Sequence, residues 1–117
     1  MTDTTPLTPF LSAAALHGEL EDWGPLAEAT GDEMTTSGLT LWQDGDQEIG
    51  VWECTPGPSR WKLETHEFVQ IVAGRMTVTP DGGDPIEVSA GNTAVFPLGW
   101  TGTWDIHETI RKVYVIF

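Results

Sequence analysis

The chain has 117 residues, 39% hydrophobic and 20% charged, enough for one domain with a single modest core. Its formal net charge of −13 repels phosphate backbones and anionic lipid, which argues against nucleic-acid and membrane partners. No run approaches the ~18 consecutive apolar residues of a membrane span. The charge is uneven: residues 1–59 hold eleven acids and no Lys or Arg, whereas 60–117 hold seven acids and all five bases.

The first segment, residues 1–34, reads as an arm. Met1-Thr2-Asp3-Thr4-Thr5-Pro6 lacks the basic and apolar regions of a signal peptide. Alanine-rich pieces at 12–16 and 26–29 lack strand character, and Pro6, Pro9, Gly18, Gly24, Pro25 and Gly31 limit them to short helical turns. From residue 35 to 117 the texture is that of short strands. Runs at 39–42, 48–54, 63–72, 76–79, 85–88, 92–96 and 111–117 are rich in β-branched and aromatic residues. Turn residues separate them at Asp44-Gly45-Asp46, Pro56-Gly57-Pro58, Ala73-Gly74, Asp81-Gly82-Gly83-Asp84 and Pro97-Leu98-Gly99. Many short strands without interleaved helices predict an all-β sandwich or barrel. Cys54 is the sole cysteine, so no intrachain disulfide can form and a reducing cytoplasm is the expected setting.

Two spacings are more specific. Glu67 is followed after six residues by Gly74, and Gly91 after five residues by Pro97-Leu98-Gly99. With Gly50–Gly57, Ile71–Val78, Gly102-Thr103-Trp104 and Arg111-Lys112-Val113-Tyr114, this text resembles the small single-domain cupins of the cupin-3 group. That group includes domains of ureidoglycine aminohydrolase and of an ethanolamine-utilisation protein. The resemblance covers about residue 39 to the C-terminus and implies a conical jelly-roll barrel, usually dimeric, with a site in its wide mouth. It also implies a departure. Where metal-binding cupins carry two histidines before the glutamate, this chain has Arg60 and Lys62, or Trp61 and Leu63. Where the second motif carries its histidine, Gly102 stands. Three of four usual ligands are missing, so no metal and no other cofactor is expected.

Glu67 is the leading site residue. In a strand, 63, 65, 67, 69 and 71 share a face, and Leu63, Val69 and Ile71 mark it as interior. A carboxylate there must be paired, hydrogen-bonded or protonated, and so serves either as a general acid/base or in an ion pair with Arg60, Lys62 or Arg75. His66 points to the opposite face, toward solvent or a dimer interface. His17 falls in the arm and His107 in a loop, so a three-ligand metal site would need an irregular backbone. Arg60 and Lys62 could clamp an anionic small molecule or pair with Glu64 or Glu67, although strand phase that turns Glu67 and Trp61 inward turns both bases outward. Cys54 beside Glu53 reads as an inert buried thiol. Among six tryptophans, Trp52, Trp61, Trp100 and Trp104, with Tyr114, are the candidates for an aromatic wall around a small-molecule ligand. Three functions follow: an isomerase, lyase or hydrolase with Glu67 as acid/base, a non-catalytic binding module, or a structural dimer with a filled barrel. A homodimer is expected through residues 10–16 and 39–42.

Overall fold

Alternation of apolar and polar side chains drives nearly every element of the computed structural model, which describes residues 7–117. The strands are β1 (Glu21–Pro25), β2 (Thr35–Asp44), β3 (Gln47–Cys54), β4 (Gly57–Lys62), β5 (Glu67–Pro80), β6 (Ile86–Ser89), β7 (Thr93–Phe96) and β8 (Thr101–Ile116). Their order is β1-β2-β3-β8-β5-β6, with β4 also on β8 and β7 also on β5, and every pairing is antiparallel. Two long strands close the roll. The first part of β8 pairs with β4, from Lys62↔Thr101 to Gly57↔Ile106, and its second part pairs with β3, from Cys54↔Ile110 to Glu48↔Ile116. Strand β5 divides in the same way, taking β7 along Glu67–Gln70 and β6 along Arg75–Val78. The result is the all-β jelly roll that the sequence predicts.

Inside the roll, Val51, Cys54, Val69, Ile71, Met76, Trp104, Ile106 and Ile110 are almost wholly buried, with Met34 sealing one side. No helix among the described residues is long and apolar enough to cross a membrane.

Four expectations need correction. Gly74 is not in a turn: residues 63–66 form no strand, 67–72 and 76–79 are joined in one strand, β5, and Gly74 sits within it at φ 85° where the pairing register shifts. A Cβ there would come within 2.1 Å of the Thr109 carbonyl oxygen, so the bulge that bends β5 across the barrel requires glycine. Pro56-Gly57-Pro58 is not a turn throughout, because β4 begins at Gly57 and occupies residues 57–62, where no strand was expected. Pro58 is tolerated because β4 is an edge strand, its other side touching residues 28–30 through Thr30 N to Pro58 O and Arg60 N to Glu28 O. Strand β8 starts ten residues earlier than 111, since Gly102, Trp104 and Ile106 alternate inward, and this puts His107 on a strand instead of in a loop. Finally, residues 7–34 contain turns at 13–18 and 26–29, as the alanine-rich pieces lead one to expect, but also a strand, β1, which pairs with β2. Arg111 ties the first turn down by donating to the Ala14 and Gly18 carbonyls. Residues 1–6 of the expected arm lie outside the described residues.

Candidate functional site in the barrel mouth

Three adjacent strands aim their inward side chains at one point. Glu67 opens β5, Lys112 and Tyr114 are alternate residues of β8, and Trp52 of β3 is the register partner of Lys112. Glu67 and Lys112 are both buried, at 7% and 4% exposure, and Lys112 Nζ donates to Glu67 Oε1 at 2.7 Å. The ammonium also lies over two indoles, 4.7 Å from the Trp52 ring centre and 4.6 Å from that of Trp104. Cation–π attraction and ion pairing therefore fix the same group from three sides. Trp61 stacks on Trp104 at 4.3 Å and meets Trp52 edge-on. The Trp61 indole N–H donates to Ser59 Oγ, which in turn donates to the Trp104 carbonyl, so the aromatic wall is held in orientation by buried polar groups.

Between these side chains is a cavity of about 240 Å³, completed by Leu63, Thr65, Tyr114 and Ile116. It adjoins an outer hollow of about 640 Å³ that shares Thr65 and Ile116 and is rimmed by Asp46, Glu48 and Glu64. The outer hollow is larger, but the chemistry is concentrated in the inner one. Tyr114 donates its hydroxyl to Glu48. Burial first, then the Glu48 hydrogen bond and the charges of Glu48 and Glu67, push the phenol well above its ordinary ionisation range, so it stays protonated.

Of the residues singled out from sequence, Glu67, Trp52, Trp61, Trp104 and Tyr114 line one cavity. Trp100 does not: it is half-buried behind the wall, edge-on to Phe96 at 5.0 Å. Arg60 and Lys62 are exposed on the outer face of β4, as the alternation that turns Trp61 inward demands. Arg60 forms a two-pronged pair with Asp81 across the surface, which holds the Asp81 carboxyl near 2. Neither base can clamp a ligand in this cavity. His66 lies outside, stacked on Phe117 and accepting the Leu98 N–H on Nδ1, and His107 is exposed against Thr77. Cys54 is fully buried, and burial raises its thiol to about 11 despite the opposing charge of Lys112.

Lys112 is the residue that sequence reasoning missed. Its signal was present: within the apolar end strand it falls in phase with Ile110 and Tyr114, so it had to face inward opposite Glu67.

These side chains do not fit a transition metal. The cavity offers a single carboxylate, and its Oε1 already holds an ammonium, so a cation would have to displace Lys112. Among the described residues no group of three or more His, Cys, Asp and Glu converges.

Comparison with known proteins places this architecture. No curated protein matches the chain. Among solved structures, a protein of unknown function of the DUF861 family from Pseudomonas syringae superposes with a TM-score of 0.78 at 22% identity. The match covers 86% of this chain and 45% of that one, so this chain spans under half of that protein's length. The Clostridium difficile EutQ protein superposes at 0.64 with 18% identity, covering 72% and 68% of the two chains. A DUF861 protein from Thermotoga maritima is 30% identical over 57% of this chain and 76% of its own, with a TM-score of 0.56. Residues 41–114, well over half the sequence, match the family model of the EutQ-like cupin domain, and the chain belongs to that family.

Proposed function

From a EutQ-like cupin domain with this pocket, we propose that the barrel mouth binds and transforms a small molecule, with Glu67 as the proton-transferring group. The observation that supports this is a buried carboxylate–ammonium pair that opens onto an aromatic cavity instead of being packed over. A pair that merely joined two strands would not need space beside it. The reaction types in keeping with one carboxylate, one ammonium and no metal-ligand set are isomerisation, elimination and hydrolysis. The volume favours a small ligand, below the ~300–1,000 Å³ of common ligand pockets. A cationic ligand is disfavoured, because Lys112 already occupies the faces of Trp52 and Trp104.

Titration of small planar ring compounds, read by the fluorescence of the mouth tryptophans, tests the reading. Thr65→Phe fills the cavity without touching the ion pair and should abolish the response. A panel that leaves fluorescence and melting temperature unmoved in the parent protein would refute it.

A second element of the reading is a homodimer. Leu7, Phe10, Leu11 and Leu16 are 62–97% exposed, and Phe10 shares an apolar groove with Leu41, Trp42 and Ile49. Such a patch is larger than single scattered apolar residues require and suits a second copy of this chain. Light scattering at micromolar concentration giving the mass of one 12.8 kDa chain would exclude it.

A further inference from the structure

We propose that Lys112 is a second catalytic residue and that the substrate is an uncharged small carbonyl compound carrying a hydrogen on the carbon next to its C=O. This deepens the preceding reading and rests on it. Lys112 Nζ has three N–H bonds and uses one of them on Glu67 Oε1. Glu67 Oε2 accepts a hydrogen bond from no described residue. A donor and a free carboxylate oxygen thus stand side by side at the cavity wall. A carbonyl oxygen placed on the ammonium brings the adjacent C–H toward Oε2.

The charges favour this use. In the resting site the ammonium neutralises Glu67. When Oε2 takes the proton, the C–H electron pair becomes the C=C bond and the carbonyl π pair moves onto oxygen. The negative charge has then passed from Glu67 to the enolate oxygen beside the same ammonium. The net charge of the cavity is unchanged throughout, and Trp52 and Trp104 hold Nζ in place before and after. Once the Glu67 acid proton has traded with solvent, its return to the same carbon gives exchange. Where that carbon also bears a hydroxyl, transfer of the hydroxyl proton to the enolate oxygen and return of the Glu67 proton to the former carbonyl carbon gives isomerisation. Departure of a leaving group from the β-carbon with its bonding pair gives elimination.

The same balance selects an uncharged substrate. A ligand carboxylate would add a charge that no free base in the cavity can meet, because Arg60 and Lys62 face outward and Arg111 is paired with Glu53. The acidic rim of Asp46, Glu48 and Glu64 also repels anions on the way in.

Deuterium uptake from D2O, followed by proton NMR, tests the proposal with cyclohexanone and dihydroxyacetone as probes and pyruvate as the anionic comparison. The baseline is the double variant E67Q/K112M, which keeps the shape of the pair without its charges. The full chain should exchange at least one neutral probe at least ~100-fold faster than that baseline, the range of a positioned general base, and pyruvate no faster than the baseline. Equal rates for parent and double variant on both neutral probes, or preference for pyruvate, overturn the proposal. The role of Lys112 has its own spectroscopic readout. Glu67→Gln frees the ammonium, so it should bind 4-nitrophenol as the yellow phenolate, whereas E67Q/K112M should not. A folded Glu67→Gln that binds only the neutral phenol removes Lys112 from the mechanism. Should Glu67→Gln not fold, the exchange comparison alone decides. Probe-induced tryptophan quenching without exchange overturns the enolisation and leaves the binding pocket standing; absence of both overturns both readings.

Discussion

Breaking the Glu67–Lys112 pair from one side should cost far more than removing it altogether. At 2.7 Å the gross attraction is ~6 kcal/mol for an effective dielectric constant near 20, most of it offset by the desolvation of two charges. Lys112→Met keeps the buried stem and removes the ammonium, which leaves Glu67 as an unpaired carboxylate at 7% exposure. The expected loss is ~3–5 kcal/mol, with ~0.5–2 kcal/mol of that from each indole contact. Glu67→Gln strands the ammonium in turn but leaves it its two indole faces, so its loss should be the smaller. The double variant E67Q/K112M strands nothing and should lie within ~1–2 kcal/mol of the parent. Against a typical domain stability of ~5–15 kcal/mol, either single change removes a large fraction and the pair of changes does not. Urea titrations of all four proteins, read by circular dichroism, give the coupling energy directly. A Lys112→Met protein within ~1 kcal/mol of the parent, or a double variant as damaged as the sum of the singles, would refute a desolvated pair at this site.

Three further outcomes follow from local geometry. Gly74→Ala should lower stability by several kcal/mol, whereas Gly91→Ala should cost only ~1–2 kcal/mol. Both have positive φ, but only at Gly74 does a Cβ strike backbone, and the two melting temperatures measure the difference. Burial that raises the Cys54 thiol from 9.0 to about 11 contributes stability that is complete below pH 9 and lost as pH climbs to 11. The unfolded chain releases the proton first, so Cys54→Ala should show a shallower decline in urea midpoint from pH 8 to 10.5; parallel declines would rule the thiol out. Arg60→Ala and Lys62→Ala should leave the affinity of any mouth ligand unchanged, because both side chains lie on the far side of β4. A loss of binding measured by fluorescence would bring them back into the site.

What the sequence made legible follows from what strand alternation can encode. Period-two burial put Glu67 on an inner face with Trp61 in the same phase, but for Arg60 and Lys62 it pointed outward while the motif slot pointed inward, and the structure decides for the outward phase. Turn residues were less reliable, because glycine and proline mark a departure from regular φ without saying which one. Gly74 serves a bulge inside a fourteen-residue strand, and Pro58 lies on an edge strand that needs no N–H there. The partner of Glu67 was the least legible. Arg60, Lys62 and Arg75 are nearer in sequence, yet pairing of β5 with β8 brings in a residue 45 positions away. Pairing across a barrel is set by closure, which no local pattern records. Once the barrel is closed, the choice is forced by charge: among the five bases only Lys112 is buried, and it is the one counter-charge within reach of the buried Glu67 carboxylate. The same necessity gives the site its character: Glu67 holds an ammonium fixed by two indoles, so the positive charge beside the cavity is built into the chain.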